Sequence, residues 1–157
     1  MTEDKNQFMR LSIDLANSSI TSGGGPFGAV VVCNGEVVGK GANSVTNLND
    51  PTAHAEVLAI RDAAKNLGRF DLNDCVLYTS CEPCPMCLGA TYWAKIKKLY
   101  YGCSRKDAAK AGFDDDFIYQ ELNISPEKRS IEMNRLLEND AFETFEKWIN
   151  MPDKKEY

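Results

Sequence analysis

One histidine and a run of cysteines hold most of the chemistry this chain can do. The stretch SCEPCPMCLGA, residues 80–90, places Cys81, Cys84 and Cys87 in a C-x-x-C-x-x-C run, and PTAHAEV, residues 51–57, carries His54, the single histidine, two residues before Glu56. Cys84 and Cys87 sit three apart in a segment that reads as the start of a helix, so both sulfurs face one way. With His54 they make a His-Cys-Cys set, and catalytic zinc commonly takes three protein ligands and leaves the fourth position to water. Glu56 projects from the same helix start as His54 and would meet that water as a proton acceptor. The reading is one Zn2+ per chain, held by His54, Cys84 and Cys87.

Rival readings of the cysteines explain less. A ferredoxin-type iron–sulfur run would need a fourth cysteine where Thr91 stands. A structural four-cysteine zinc site would have to recruit Cys33, Cys75 or Cys103 and would leave His54 and Glu56 without a purpose. Taking every cysteine as a small core residue ignores the conjunction of ligand spacing and carboxylate. Cys33, Cys75 and Cys103 fall in apolar strand-like runs and read as core, while Cys81 is expected to pack behind the site and support a ligand. GEVVGK is one residue short of a phosphate loop and has Gly41 where a hydroxyl is required. KIKK, 95–98, reads as cations facing a helix carboxyl end. Trp93 and Trp148 read as core, FDDD, 113–116, by itself as a helix cap, and MPDKKEY as a frayed tail.

The elements that must position these groups follow from periodicity. Phe8, Leu11, Leu15 and Ala16 predict a helix over 5–18. GAVVVCNGEVVGKG is two β-branched runs around Asn34-Gly35, a hairpin signal. Pro51 is expected to open a helix that closes at Gly68. A strand at 75–80, a helix from Pro85 to Ala94 and a strand at 97–103 come next. A short helix at 116–122, a weak strand at 130–136 and a helix at 139–150 burying Phe142, Phe145, Trp148 and Ile149 complete the order. The expectation is an α/β three-layer fold, a mixed five-stranded sheet with helices on both faces, and a ligand site beyond the carboxyl ends of strands.

Composition narrows the class of partner. A chain of 157 residues reads as one domain, 1–157. Its 18 basic and 23 acidic residues leave a net charge of −5, the wrong sign for gripping phosphate backbones over a broad surface. The opening MTEDKNQFMR lacks an apolar leader core and no run reaches membrane-spanning length, so a cytoplasmic protein with reduced thiols is expected, without nucleic acid or membrane as a partner.

The residues also carry a resemblance. H-x-E followed by P-C-x-x-C is the signature of zinc nucleobase deaminases. GGPFGAVVV, Asn43, NDPTAHAEVLAIR, LYTSCEPCPMCLGA, DAAKAGFDDDFIY and the terminal KKEY together resemble the bacterial guanine deaminases of the cytidine deaminase-like superfamily. The resemblance covers nearly the whole chain and is weakest between about 123 and 150. It implies hydrolysis of guanine to xanthine and ammonia, with Asp115 joining Glu56 as a proton-transferring residue. It also implies that Asn43 offers its amide to the purine edge, that Phe27 forms an apolar wall, and that the tail, 151–157, places Tyr157 over the active site of a partner subunit in a homodimer. A guanosine or cytosine deaminase, or a tRNA adenosine deaminase, shares the zinc signature. The acidic charge and the closing tail argue against the RNA enzyme.

Overall fold

Unbroken β-branched residues make GAVVVC a central strand rather than a half-solvated edge. A computed structural model of the protein describes residues 5–157. This strand, β1 (Gly28–Cys33), is buried along its whole length and paired on both sides. Asn34 and Gly35 both take positive φ, 51° and 81°, and turn the chain into β2 (Glu36–Ala42). The two-residue loop is the primed type that matches strand twist. On the other side β1 pairs antiparallel with β3 (Cys75–Cys81), and β3 pairs parallel with β4 (Lys98–Cys103), so the order is β2-β1-β3-β4.

Alternation along β1 supplies the two faces of the sheet. Val30 and Val32 join Tyr78 beneath Phe8 of α1 (Lys5–Thr21). Ala29, Val31 and Cys33 face the other way with Leu77, against Ala55, Ala59 and Ala63. Those alanines recur every four residues on one stripe of a helix that follows a short turn of helix, α2 (Val45–Leu48), and is numbered α3 (Ala55–Leu67). Opposite the stripe stand Gly39 and Gly41 of β2. A Cβ on Gly41 would run into the Ala55 carbonyl oxygen, and one on Gly39 into that of Ala59. Helix and strand backbones therefore meet in near-direct contact.

Helix α3 does not start at Pro51, as expected. Asp50 Oδ1 accepts from the Thr52 amide at 2.8 Å and from the Thr52 hydroxyl at 2.7 Å, holding 50–52 in a turn. The helix is thereby delayed until Ala55, with His54 as its extended N-cap residue and Gly68, in the left-handed region, as its C-cap. Helix α4 (Pro85–Trp93) starts in the same manner, with Cys84 as N-cap and Pro85 in its first turn. Ser104 and Asp107 close a reciprocal capping box on α5 (Arg105–Lys110), a helix that periodicity did not flag because its six residues show no apolar stripe.

One compact unit runs to Asp115, and Asp116–Tyr157 forms a second. The second unit holds α6 (Asp116–Asn123), a 3-10 turn at Pro126–Lys128 and α7 (Glu138–Ile149). The fifth strand expected at 130–136 is absent: the described sheet has four strands. Ser130 is tied instead to the Glu121 carboxylate through its amide at 2.7 Å and its hydroxyl at 2.9 Å. Ile131, Met133 and Leu136, the apolar residues of 130–136, stay 73 %, 56 % and 80 % exposed. Three apolar residues left in water do not repay the ordering of an edge strand. Helix α7 is present, but Phe142, Phe145, Trp148 and Ile149 lie on its exposed surface rather than in a core. Trp93 is 69 % exposed and Cys103 is exposed as well, so both depart from the core assignment. Among the described residues no helix is long and apolar enough to cross a membrane.

The close approach of α3 to β2 makes a stability prediction. Gly41→Ala must push α3 off the sheet and is expected to cost about 1–3 kcal/mol, the usual penalty of overpacking. Gly89→Ala, in α4 with open space where its Cβ would go, is expected to gain about 0.5–1 kcal/mol from helix propensity. Thermal or urea unfolding of the two variants checks the pair, and equal effects would contradict the packing described.

Candidate active site and metal centre

One end of the sheet collects the chemistry. β1 begins where β2 and β3 finish, so Phe27, Asn43 and Ser80 flank the same rim, and the first turns of α3 and α4 abut it. The Gly28 amide donates to Ser80 Oγ at 3.0 Å, the Asn43 amide to the Phe27 carbonyl at 2.9 Å, and the Ser44 amide to the Ala53 carbonyl at 3.0 Å. These bonds tie the loop before β1, the loop after β2 and the loop carrying His54 into one frame.

Within it, His54 Nδ1 lies 3.5 Å from Cys84 Sγ and 3.5 Å from Cys87 Sγ. His54, Cys84 and Cys87 form a cluster able to hold a metal ion. Tetrahedral zinc with Zn–N of about 2.05 Å and Zn–S of about 2.3 Å sets nitrogen and sulfur about 3.6 Å apart, so the donors already stand at ligand spacing. Nδ1 is the nitrogen aimed at the sulfurs, which assigns the ring proton to Nε2 in the ligating form. Both cysteines occupy the start of α4, where free backbone amides favour thiolate charge. Hydrogen bonding from Cys87, then from His54, pulls the Cys84 thiol down to about 4. The same shared proton and burial push Cys87 up. The Cys84 contact raises His54. A dication bound by this trio would displace protons from it.

Glu56 is 5 % exposed, at the second position of α3. Its Oε2 accepts from Cys87 Sγ at 3.3 Å, and its Oε1 is 3.3 Å from the Thr79 hydroxyl. Burial raises its pKa above the ordinary carboxylate range, the backbone and Cys87 bonds opposing. A dication on the adjacent ligands would oppose the rise further. Thr79 has a second acceptor, the Cys81 carbonyl at 3.0 Å. With one proton to give, it can serve ionised Glu56, or turn to Cys81 and accept from protonated Glu56. Sequence reasoning missed Thr79. The signal was there: it shares strand parity with Cys75 and Leu77 and so faces α3.

Cys81 is buried at the end of β3, its thiol 3.8 Å from the Ser104 carbonyl and pushed up to about 11 by burial. Asn43 is buried, and its Oδ1 accepts from the Gly25 amide at 3.2 Å and the Val45 amide at 3.4 Å, so the NH2 is the donor end of its side chain. Phe27 meets Phe113 edge to face with ring centroids 4.9 Å apart, a contact that brings the AGFDD segment to the site and that spacing did not reveal. Asp115 closes this unit, its Oδ1 3.9 Å from Arg105 Nε. Burial raises Asp115, Arg105 opposes, and the Cys84 thiolate pushes the same way as burial. Tyr157 belongs to the second unit and is exposed.

Comparison with known proteins agrees with this geometry. Residues 2–103 match the family model of the cytidine and deoxycytidylate deaminase zinc-binding region. Guanine deaminase of Bacillus subtilis is 51% identical over 151 residues, 96% of this chain and 97% of the relative. The X-ray structure of guanine deaminase from that organism superposes with a TM-score of 0.95 at 50% identity, covering 98% of this chain and 99% of the other. A tRNA-specific adenosine deaminase of Buchnera aphidicola is 38% identical over 128 residues, 81% of this chain and 85% of the relative.

Purified protein is expected to hold one zinc per chain. His54→Ala or Cys87→Ala should each lower occupancy sharply, since two remaining ligands leave the tetrahedron open. Elemental analysis measures this, and iron with a sulfide-to-iron absorption band would contradict the site.

Proposed function

The chain belongs to the cytidine and deoxycytidylate deaminase zinc-binding family as a homologue of bacterial guanine deaminase, and on that premise we propose that it hydrolyses guanine to xanthine and ammonia. The observation that carries the reading is the His54-Cys84-Cys87 donor set with the Glu56 carboxylate 3.3 Å from one of its sulfurs. Zinc, when bound there, lowers the pKa of a water from 15.7 to about 7 and so supplies hydroxide at neutral pH.

The chain's own residues do the rest. Glu56 takes a proton from the attacking water and gives it to the ring nitrogen next to C2, so that C2 can accept the oxygen. Its raised affinity for a proton suits both halves of that transfer. The 2-amino group leaves only as a protonated amine, and the reading assigns that transfer to Asp115, whose ionised state Arg105 nearby would steady. Guanine and water thereby become xanthine and ammonia with no other reactant. The Asn43 NH2 donates to the acceptor edge of the purine, and Phe27, backed by Phe113, supplies an apolar wall. A small neutral base also fits an acidic chain better than an RNA loop does. The reading places the enzyme in the cytoplasm, where its thiols stay reduced.

The proposal extends to a homodimer in which residues 151–157 cross to the partner and set Tyr157 over its substrate. Support comes from the KKEY ending and from α7, whose aromatic residues a lone chain leaves to water. Exchange of an identical segment is an isologous route to a two-fold dimer, and closure over the substrate would exclude water and large substrates.

Four experiments test these statements. Glu56→Gln keeps shape without accepting a proton and is expected to retain zinc and fold while losing at least ~10²-fold in turnover. Ammonia release should favour guanine over adenosine, cytosine and a tRNA anticodon loop, with little salt dependence because a neutral base displaces no counterions. RNA deamination with a steep salt slope would overturn the substrate assignment in favour of the tRNA enzyme. Deleting 152–157 should leave zinc bound and reduce guanine turnover by roughly 10²-fold, the scale of lost positioning. Mixing that deletion with intact-tailed Glu56→Gln chains should restore activity, because a wild-type Glu56 site then receives its tail from the partner. Demonstrated heterodimers without recovery would show that tails are not exchanged.

A further inference from the structure

A second thiol cluster lies at the opposite end of β3 from the zinc ligands. Cys33 closes β1 and Cys75 opens β3, and the antiparallel register sets the two directly across from each other. Their sulfurs and the Asp74 carboxylate all lie within 4.8 Å of one another. Each thiol donates to a different oxygen of Asp74, Cys33 to Oδ2 at 3.6 Å and Cys75 to Oδ1 at 3.5 Å. Arg69 Nη2 grips the same two oxygens at 2.7 and 2.9 Å, and it also lies 3.9 Å from Cys33 Sγ.

Two kinds of chemistry suit paired thiols: a metal ion or a sulfur–sulfur bond. The guanidinium decides between them. It already occupies both carboxylate oxygens and brings a positive charge to the spot where a cation would sit. Two sulfurs are then the only donors left, too few for a zinc site. Residues directly opposite in an antiparallel ladder have Cα atoms about 4.5–5.5 Å apart, inside the ~4.4–6.8 Å range of disulfides. Side-chain rotation is enough to bring the sulfurs together.

We propose that Cys33 and Cys75 form a reversible thiol–disulfide site, closed by a peroxide and opened by thiols. The Cys33 sulfur, beside the Arg69 guanidinium, attacks one oxygen of hydrogen peroxide; the O–O bond breaks, the departing oxygen takes the thiol proton and leaves as water, and Cys33 becomes a sulfenic acid. Cys75 then attacks that sulfur, the S–O bond breaks, water leaves and the disulfide forms. Both sulfurs are oxidised, the peroxide is reduced by two electrons, and the two thiol protons end in two waters. Burial and the neighbouring Cys33 push Cys75 up to about 12, which disfavours Cys75 as the first attacker. Cys33 is 8 % exposed against 2 % for Cys75, so a small oxidant reaches Cys33 first.

The test uses zinc-loaded, full-length protein exposed to a slight excess of hydrogen peroxide, followed by catalase, thiol blocking, digestion and mass spectrometry. The expected result is a peptide pair joined through Cys33 and Cys75, with two of the six thiols lost, zinc retained, and the link removed by dithiothreitol. In Cys75→Ser, dimedone should trap a sulfenic acid on Cys33, whereas in Cys33→Ser residue Cys75 should stay a thiol. Should either variant fail to fold, the wild-type peptide map decides alone. The proposal is overturned if Cys33 and Cys75 are recovered as free thiols while Cys84 and Cys87 are oxidised. It is equally overturned if the protein takes a second zinc that shields Cys33 and Cys75 from blocking.

Discussion

The near-contact of α3 with β2 is the constraint on which the site depends. Glycine at 39 and 41 and alanine at 55, 59 and 63 let two backbones approach as no larger pair could. That approach fixes the first turn of α3 against the rim of the sheet, and the first turn is where His54, Ala55 and Glu56 lie. The Asp50–Thr52 turn then sets the phase of the helix. Had the helix begun at Pro51, His54 would have been an interior residue with a helical backbone, unable to swing its ring across to α4. As an extended N-cap it reaches Cys84, itself the N-cap of the neighbouring helix. Two interrupted helix starts therefore build the donor set, and the free amides of both favour the negative charge gathered there.

Burying Glu56 among these groups is costly unless its charge or its proton is accommodated. Thr79 meets that demand in either state, because a hydroxyl both donates and accepts. Cys87 reaches the other oxygen and belongs at the same time to the ligand set. The carboxylate is thus held from two sides by β3 and α4. Thr79 can hold it in either protonation state, as the proton-carrying role proposed for it would require.

What was legible in the sequence was local. The hairpin needed only Asn34-Gly35, the C-cap of α3 only Gly68, and the ligands only their spacing and residue types. The position where α3 begins was not legible, since Pro51 is a good first-turn residue and the Asx turn that outcompetes it depends on side-chain geometry. Helix α5 escaped because a capping box, not an apolar stripe, defines it. The 130–136 strand and the buried face of α7 failed for a shared reason: apolar periodicity says that a face wants cover, not that this chain supplies it. Strand parity pointed Thr79 toward α3, but Phe113 acts through a contact between elements far apart in sequence, which periodicity alone does not locate.

The rigidity of Glu56 bears on why the proposed reaction calls for a second carboxylate. The attacking water brings two protons and the departing ammonia must carry an extra one away, so protons have to move on both sides of C2. A free side chain could swing between the two places. Glu56 is not free to do so: it is 5 % exposed and set at the second position of α3, so a swing would drive the carboxylate through packed neighbours. The second transfer therefore falls to a group on another element. Asp115 suits it physically, since it comes from the loop after α5 and its side chain keeps 19 % exposure, enough to exchange protons with water. Arg105 near one of its oxygens favours the ionised form, while burial and the Cys84 charge favour the protonated one. Opposed influences of that kind keep both states accessible, the condition for passing a proton to an amine and recovering it in the next cycle.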